Sequence, residues 1–204
     1  MTKDIICKEY GSGDVIPFHL EFLVRGGMEL FLPLSFRTKS GGIVEICYNL
    51  SEVDPLGKRD DGDEAPYIAS SLIKGMKGAM DRYIFPNQYL LRNKVAYMKK
   101  DGAVKIAYVP FIQKKGLPKD PAKVMRSKTI DFIKETFGFL EGVNTAREEK
   151  QMGNHILNET LSILSDSTIG MDTCVRKIEK LKEEAYYYSG KDKAGSLDLY
   201  GNII

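Results

Sequence analysis

Two histidines, three cysteines and one tight acidic cluster are the residues of this 204-residue chain whose types suit chemistry. His19 and His155 lie far apart and Cys7, Cys47 and Cys174 are scattered, so no C-x-x-C or H-x-x-x-H pair offers the ligand spacing of a zinc site. Triad chemistry needs a histidine base near a nucleophile, and neither histidine carries a local signature of that kind. No G-x-x-x-x-G-K-[ST] phosphate loop and no G-x-S-x-G elbow occurs. Asp60, Asp61, Asp63 and Glu64 gather in DPLGKRDDGDEAP, residues 54–66. They miss the EF-hand order D-x-[DN]-x-[DN]-G and its closing glutamate, so the segment reads as a solvated connecting loop. The sequence therefore predicts no catalytic residue, no metal site and no cofactor.

A second kind of chemistry is electrostatic. Between Arg92 and Lys128 eleven basic residues face two acidic ones, a local balance of +9. At an overall net charge of +2, the remainder of the chain carries −7. Such asymmetry can steer an anionic partner. Lys99, Lys100, Lys114 and Lys115 flank turn or loop positions and are the candidate surface for an acidic protein or an anionic membrane. Nucleic acid is the weaker candidate, because Tyr97, Tyr108 and Phe111 sit in core-like strands rather than on a stacking platform.

The elements that must position these residues are read from periodicity. Residues 16–25, IPFHLEFLVR, alternate as a strand, with Phe18, Leu20, Phe22 and Val24 on one face and His19 on the other. Gly26-Gly27 reads as a hairpin turn, and Leu30, Leu32, Leu34 and Phe36 continue the alternation, with Pro33 marking an edge or a bulge. After Ser40-Gly41-Gly42, residues Val44, Ile46, Tyr48 and Leu50 give a third strand of an antiparallel meander. Gly11-Ser12-Gly13 reads as a flexible N-terminal turn.

Pro66 opens a helix to about Arg82, with Ile68, Leu72, Ile73, Met76, Met80 and Tyr83 as its apolar stripe. Gly75 and Gly78 weaken that helix by roughly 1 kcal/mol each, a cost that close packing against a neighbour would explain. Asp101-Gly102 between alternating runs predicts a hairpin, with Phe85 and Tyr89 buried beneath it. Helices are expected over about 123–141, 146–165 and 171–188, and a mobile tail over 190–204.

Hydrophobic content of 43% and charged content of 28% are ordinary globular values. The apolar runs fall short of the ~18–20 residues that span a bilayer, and no secretory signal is seen. The odd, widely spaced cysteines point to a reducing cytosol rather than a disulfide framework.

The order of strands, linker, helix, loop, hairpin and helices resembles a protein kinase fold shortened at both ends. In DRYIFPNQYLLRNKVAYMKKDGAVKIAYVPF, residues 83–90 occupy the place of the H-R-D-x-x-x-x-N loop, and Ala107-Tyr108-Val109 that of D-F-G. Neither place holds an aspartate, so the proton-accepting base and the Mg²⁺-holding carboxylate have no counterpart. Ile16 stands where a glycine-rich loop has its third glycine, and LFLPLSFR offers no V-A-I-K lysine.

A closer resemblance is carried by Leu32-Pro33, Arg37, Gly42, Tyr48-Asn49-Leu50-Ser51, Tyr89-Leu90-Leu91 and Val109-Pro110-Phe111. These are similar to the pattern of a bacterial domain of unknown function that precedes forkhead-associated (FHA) domains. They are also similar, more loosely, to that of the pseudokinase-like cytoplasmic domain of a type VII secretion membrane subunit. The resemblance covers about residues 20–140. Asn49 replaces the usual acidic residue, and the residues after the match are too few and too helical for an FHA sandwich.

The expected fold is therefore α+β: a small antiparallel meander packed on a mainly helical part containing a hairpin, in a reduced pseudokinase-like architecture. The expected boundaries are 1–64 for the β-rich lobe, 65–189 for the helical lobe and 190–204 for the tail. The resemblance implies a non-catalytic, cytoplasmic interaction or scaffolding domain with a protein partner. Two alternatives stand beside it. One is a nucleic-acid-associated or anionic-surface-binding protein acting through residues 92–128, and the other is an enzyme of unrecognised chemistry.

Overall fold

The computed structural model describes residues 5–25, 28–112, 117–138 and 148–193 of the chain. Two small antiparallel sheets and five α-helices make an α+β fold. The first sheet has the order β1-β3-β2, from Ile5–Gly11 (β1), Leu34–Lys39 (β2) and Ile43–Asn49 (β3). The second has the order β4-β5-β6, from Val53–Pro55 (β4), Ala96–Lys99 (β5) and Val104–Ile106 (β6). The helices are Pro17–Val24 (α1), Ala65–Met80 (α2), Pro121–Thr136 (α3), Glu148–Ser165 (α4) and Met171–Lys193 (α5).

The first strand is not where periodicity put it. Residues 17–24 form α1, with Pro17 in its first turn, and the buried residues His19, Leu20 and Leu23 have helical rather than alternating spacing. Phe18 and Val24, expected on the buried strand face, are 58% and 45% exposed. The strand itself is Ile5–Gly11, which pairs along its whole length with β3. It absorbs Gly11 from the presumed flexible turn, and Ser12–Asp14 continue as a 3-10 turn. The Gly26-Gly27 turn lies outside the described residues.

Strands β2 and β3 keep the expected register. Leu34 faces Tyr48 across the ladder, and Leu34, Val44, Ile46 and Tyr48 are all buried. Glu45 projects to the other face, where Arg37 and Lys39 bond its carboxylate and hold its pKa below the ordinary range. Leu30 to Leu32 do not extend β2 but run beside β6, with Leu32 N donating to Ile106 O (3.0 Å) and Ile106 N to Leu30 O (2.8 Å). That irregular course is why Leu30, Phe31 and Leu32 are buried together, with no alternation.

Helix α2 buries Ile68, Leu72, Ile73 and Met76 as its stripe predicts. Tyr83 leaves the stripe: it adopts φ 60° just after the helix and is 75% exposed. The tolerance for Gly75 has a contact behind it, since a Cβ there would lie 2.9 Å from Leu30 Cβ. The hairpin turns at Asp101-Gly102, where Gly102 has φ 82° and the Asp101 carboxylate accepts from Ala103 N at 3.0 Å. The loop over 54–66 is less solvated than expected, because β4 opens it, Leu56 is 2% exposed and Arg59 pairs with Glu64. Helix α5 runs to Lys193, past the start of the predicted tail, whose remainder lies outside the described residues.

The cysteines overturn a further expectation. Cys7 and Cys47 stand opposite one another on β1 and β3 and form a disulfide, while Cys174 is free and buried. Forty residues of sequence separate the pair, so spacing gave no hint of a contact that strand register creates. Among the described residues no helix is long and apolar enough to cross a membrane. Buried apolar side chains from both sheets and all five helices join in one continuous core.

Two outcomes follow. Gly75→Ala, which presses on Leu30, should destabilise by about 1–3 kcal/mol. Gly78→Ala, which meets nothing within 4 Å, should stabilise by about 0.4–1 kcal/mol, so chemical denaturation of the two variants should move in opposite directions. Thiol titration of the denatured, unreduced protein should find a single reactive sulfur. Reduction, or Cys7→Ser, should then lower stability by about 2–4 kcal/mol.

Candidate functional site

The positions where kinase-like chemistry would sit meet at a cleft between the two sheets. Its walls come from Ile6, Lys8 and Tyr10 on β1, Tyr48 and Leu50 at the end of β3, and Tyr97 on β5. Its floor comes from Gln88, Tyr89 and Leu90 and from Ala107, Tyr108 and Val109. The cavity is about 300 Å³. The two segments that the sequence aligned with the catalytic loop and with D-F-G are thus neighbours in space.

What fills those segments is aromatic. Phe31 and Tyr108 stack with ring centroids 4.6 Å apart, and Tyr89 meets both edge-on at 5.4 and 5.8 Å. Tyr48 Oη donates to the Tyr108 carbonyl at 2.9 Å, tying β3 to the chain beyond β6. Burial pushes the pKa of Tyr48, Tyr89 and Tyr108 up, so these phenols remain protonated donors at any ordinary pH. Tyr89 is 4% exposed and its hydroxyl has no hydrogen-bond partner among the described residues. Tyr89 is buried as expected, whereas Phe85 is only half-buried and Ile84 takes the fully buried place beside it.

Among the described residues the cleft lining contains no Asp or Glu. It does contain two lysines, Lys8 and Lys94, neither with an ion-pair partner among the described residues. Lys8 was missed by the sequence reading. Ile5-Ile6-Cys7-Lys8 has the form of V-A-I-K on a strand, hidden in the sequence because the alternation of 16–25 points to the first strand there. In kinases that lysine pairs with a helix glutamate. Here Glu21 of α1 lies 3.9 Å from Arg25, and both are largely exposed. The arrangement can hold a flat apolar group between aromatic walls and neutralise an anion, but it places no carboxylate where a base or a Mg²⁺ ligand would be.

The histidines sit elsewhere. His19 is 8% exposed on α1, its Nδ1 has no partner among the described residues, and burial lowers its pKa. His155 is exposed on α4, 3.5 Å from Glu159. The acidic residues at 60–64 form no ligand cluster; Asp61 caps a short 3-10 turn by accepting from Asp63 N.

The basic segment is not one patch. Lys128 donates to the Tyr89 carbonyl at 2.6 Å, and Arg126 donates to the Asp166 and Ile169 carbonyls. Arg92 pairs with Glu135 at 3.4 Å. Lys99 is half-buried and 3.7 Å from Glu52, and Lys100 is exposed at the hairpin turn. Lys114 and Lys115 lie outside the described residues.

No protein-family model matches the chain, and no curated protein matches it. Among solved structures, the kinase domain of Mycobacterium tuberculosis PknI (a C20A_R136A double mutant) is similar with a TM-score of 0.54 at 10% identity. The match covers 89% of this chain and 84% of that one. The cytoplasmic fragment of Staphylococcus aureus EssB aligns over 91% of this chain and 98% of its own, at 13% identity and a TM-score of 0.40. The PknI match shows a kinase-like fold.

Proposed function

We propose that this chain is a non-catalytic, pseudokinase-like interaction domain that serves a bacterial signalling or secretion assembly, with 1–64 and 65–189 as its two lobes. The observation that carries the reading is the floor of the cleft. Residues 88–90 and 107–109 close on one another as an aromatic core, where phosphoryl transfer would need two carboxylates. The signalling or secretion setting rests on the sequence resemblance alone. A cytoplasmic location is part of the proposal, and the Cys7–Cys47 bridge bears directly on it, since cytosolic thiols are kept reduced.

The test is a melting curve with ATP, with and without Mg²⁺, beside an assay for phosphate transfer. A ligand at 100 times its dissociation constant would add ~2.7 kcal/mol and raise the melting temperature by a few degrees. The expected outcome is no Mg²⁺-dependent shift and no transfer; either one would refute the reading. Alkylation of thiols in intact cells should find Cys7 and Cys47 reduced, and an oxidised pair would remove the cytoplasmic part.

A further inference from the structure

A second recess, about 470 Å³, lies where the hairpin turn meets α2 and α5, and it shares no lining residue with the aromatic cleft. Four lysines from three elements enter it: Lys74 from α2, Lys99 and Lys105 from the hairpin, and Lys182 from α5. We propose that this recess docks an acidic, extended segment of a protein partner; the inference rests on the interaction-domain reading and gives it a surface and a partner chemistry.

Close ion pairing inside the recess is incomplete. Glu179 serves two of the lysines, at 2.8 Å from Lys74 and 3.7 Å from Lys182, and also accepts from Ser70 Oγ. Among the described residues Lys99 reaches only Glu52, at 3.7 Å. Lys105 is half-buried and has no ion-pair partner within 4.0 Å among the described residues; Glu29 and Asp101 act on it only at longer range. Burial, and then the Lys99 charge, lower the Lys105 pKa. An ammonium held partly out of water beside a like charge costs free energy that a bound anion recovers.

The spread of the lysines selects the occupant. Among the described residues no arginine lines the recess, so they offer no planar fork for a single phosphate. Lysines are point charges, and these come from three separate elements. In an extended chain alternate side chains share a face, spaced by about 6–7 Å, so a row of carboxylates can meet such charges in turn. The volume lies within the ~300–1,000 Å³ usual for ligand sites and suits a few residues. Glu29 and Asp101 border the same recess and repel a carboxylate placed out of register.

The experiment is fluorescence anisotropy of the full chain with a short labelled peptide of alternating Glu and Ser, against its Gln-Ser counterpart. The Glu peptide alone should bind, and binding should weaken between about 50 and 150 mM salt. Lys105→Gln with Lys182→Gln should weaken it by about tenfold, while Lys8→Gln with Lys94→Gln in the aromatic cleft should leave it unchanged. Lys182→Gln alone, on the accessible side of α5, keeps the test open if the buried-side variant fails to fold. Absence of peptide binding, or equal affinity in the recess variants, overturns the proposal. So does displacement of the peptide by inorganic phosphate at equal charge, or capture by anionic phosphatidylserine vesicles that ignore the peptide. Any of these would remove the docking site and leave the non-catalytic reading standing, whereas Mg²⁺-dependent ATP binding would remove that reading whatever the peptide does.

Discussion

The hydrogen bond from Tyr48 to the Tyr108 carbonyl, set against the Phe31–Tyr89–Tyr108 cluster, is the contact on which the two halves depend. Each sheet has three short strands, and its apolar face must be buried against another layer. Tyr108 is 3% exposed, so its carbonyl would go unpaired without Tyr48, at a cost of about 1–3 kcal/mol. The same rings join the loop after α2 to the chain leaving β6. A single set of side chains therefore fixes both how the sheets meet and what lies at the bottom of the cleft.

This has a chemical consequence. A kinase keeps polar, ionised groups at the two places where its catalytic loop and metal-binding segment converge, and such groups resist burial. Here those places are given to stacked rings, which bury well and hold the interface with shape and dispersion. Stability at the junction and catalysis of that type compete for the same few positions. The rings occupy them, and the buried Tyr89 hydroxyl among them has no hydrogen-bond partner among the described residues.

How much of this was legible depended on whether the signal was local. The turn at Asp101-Gly102 and the stripe of α2 from Ile68 to Met76 are written in adjacent residues and form as read, while Tyr83 lies beyond the helix. The 17–24 segment was ambiguous because Phe18, Leu20, Phe22 and Val24 alternate by chance, while the buried set His19, Leu20 and Leu23 only makes sense once α1 lies on the core. Strand β1 was hidden because Lys8 and Glu9 interrupt its apolar residues and only one face of it is half-covered. That single error displaced the search for a strand lysine, and with it Lys8. The Cys7–Cys47 pair is a register effect that no spacing rule could reach.

Charge shows the same limit from the other side. The excess between Arg92 and Lys128 is real along the chain, but folding turns its members to different tasks. Lys128 and Arg126 donate inward to carbonyls, Arg92 pairs with α3, and Lys105 of β6 is half-buried in the recess. Two lysines from outside the run, Lys74 and Lys182, then join Lys99 and Lys105 around one recess. A patch is defined by which elements converge, and here the converging elements are α2, the hairpin and α5, separated by tens of residues in sequence. Glu179 is committed to Lys74, Lys182 and Ser70, and those bonds outweigh burial in holding its pKa down. Lys105 has no ion-pair partner within 4.0 Å among the described residues, and Glu29 and Asp101 act on it only at longer range. That half-buried ammonium is the point at which the proposed acidic segment gains most.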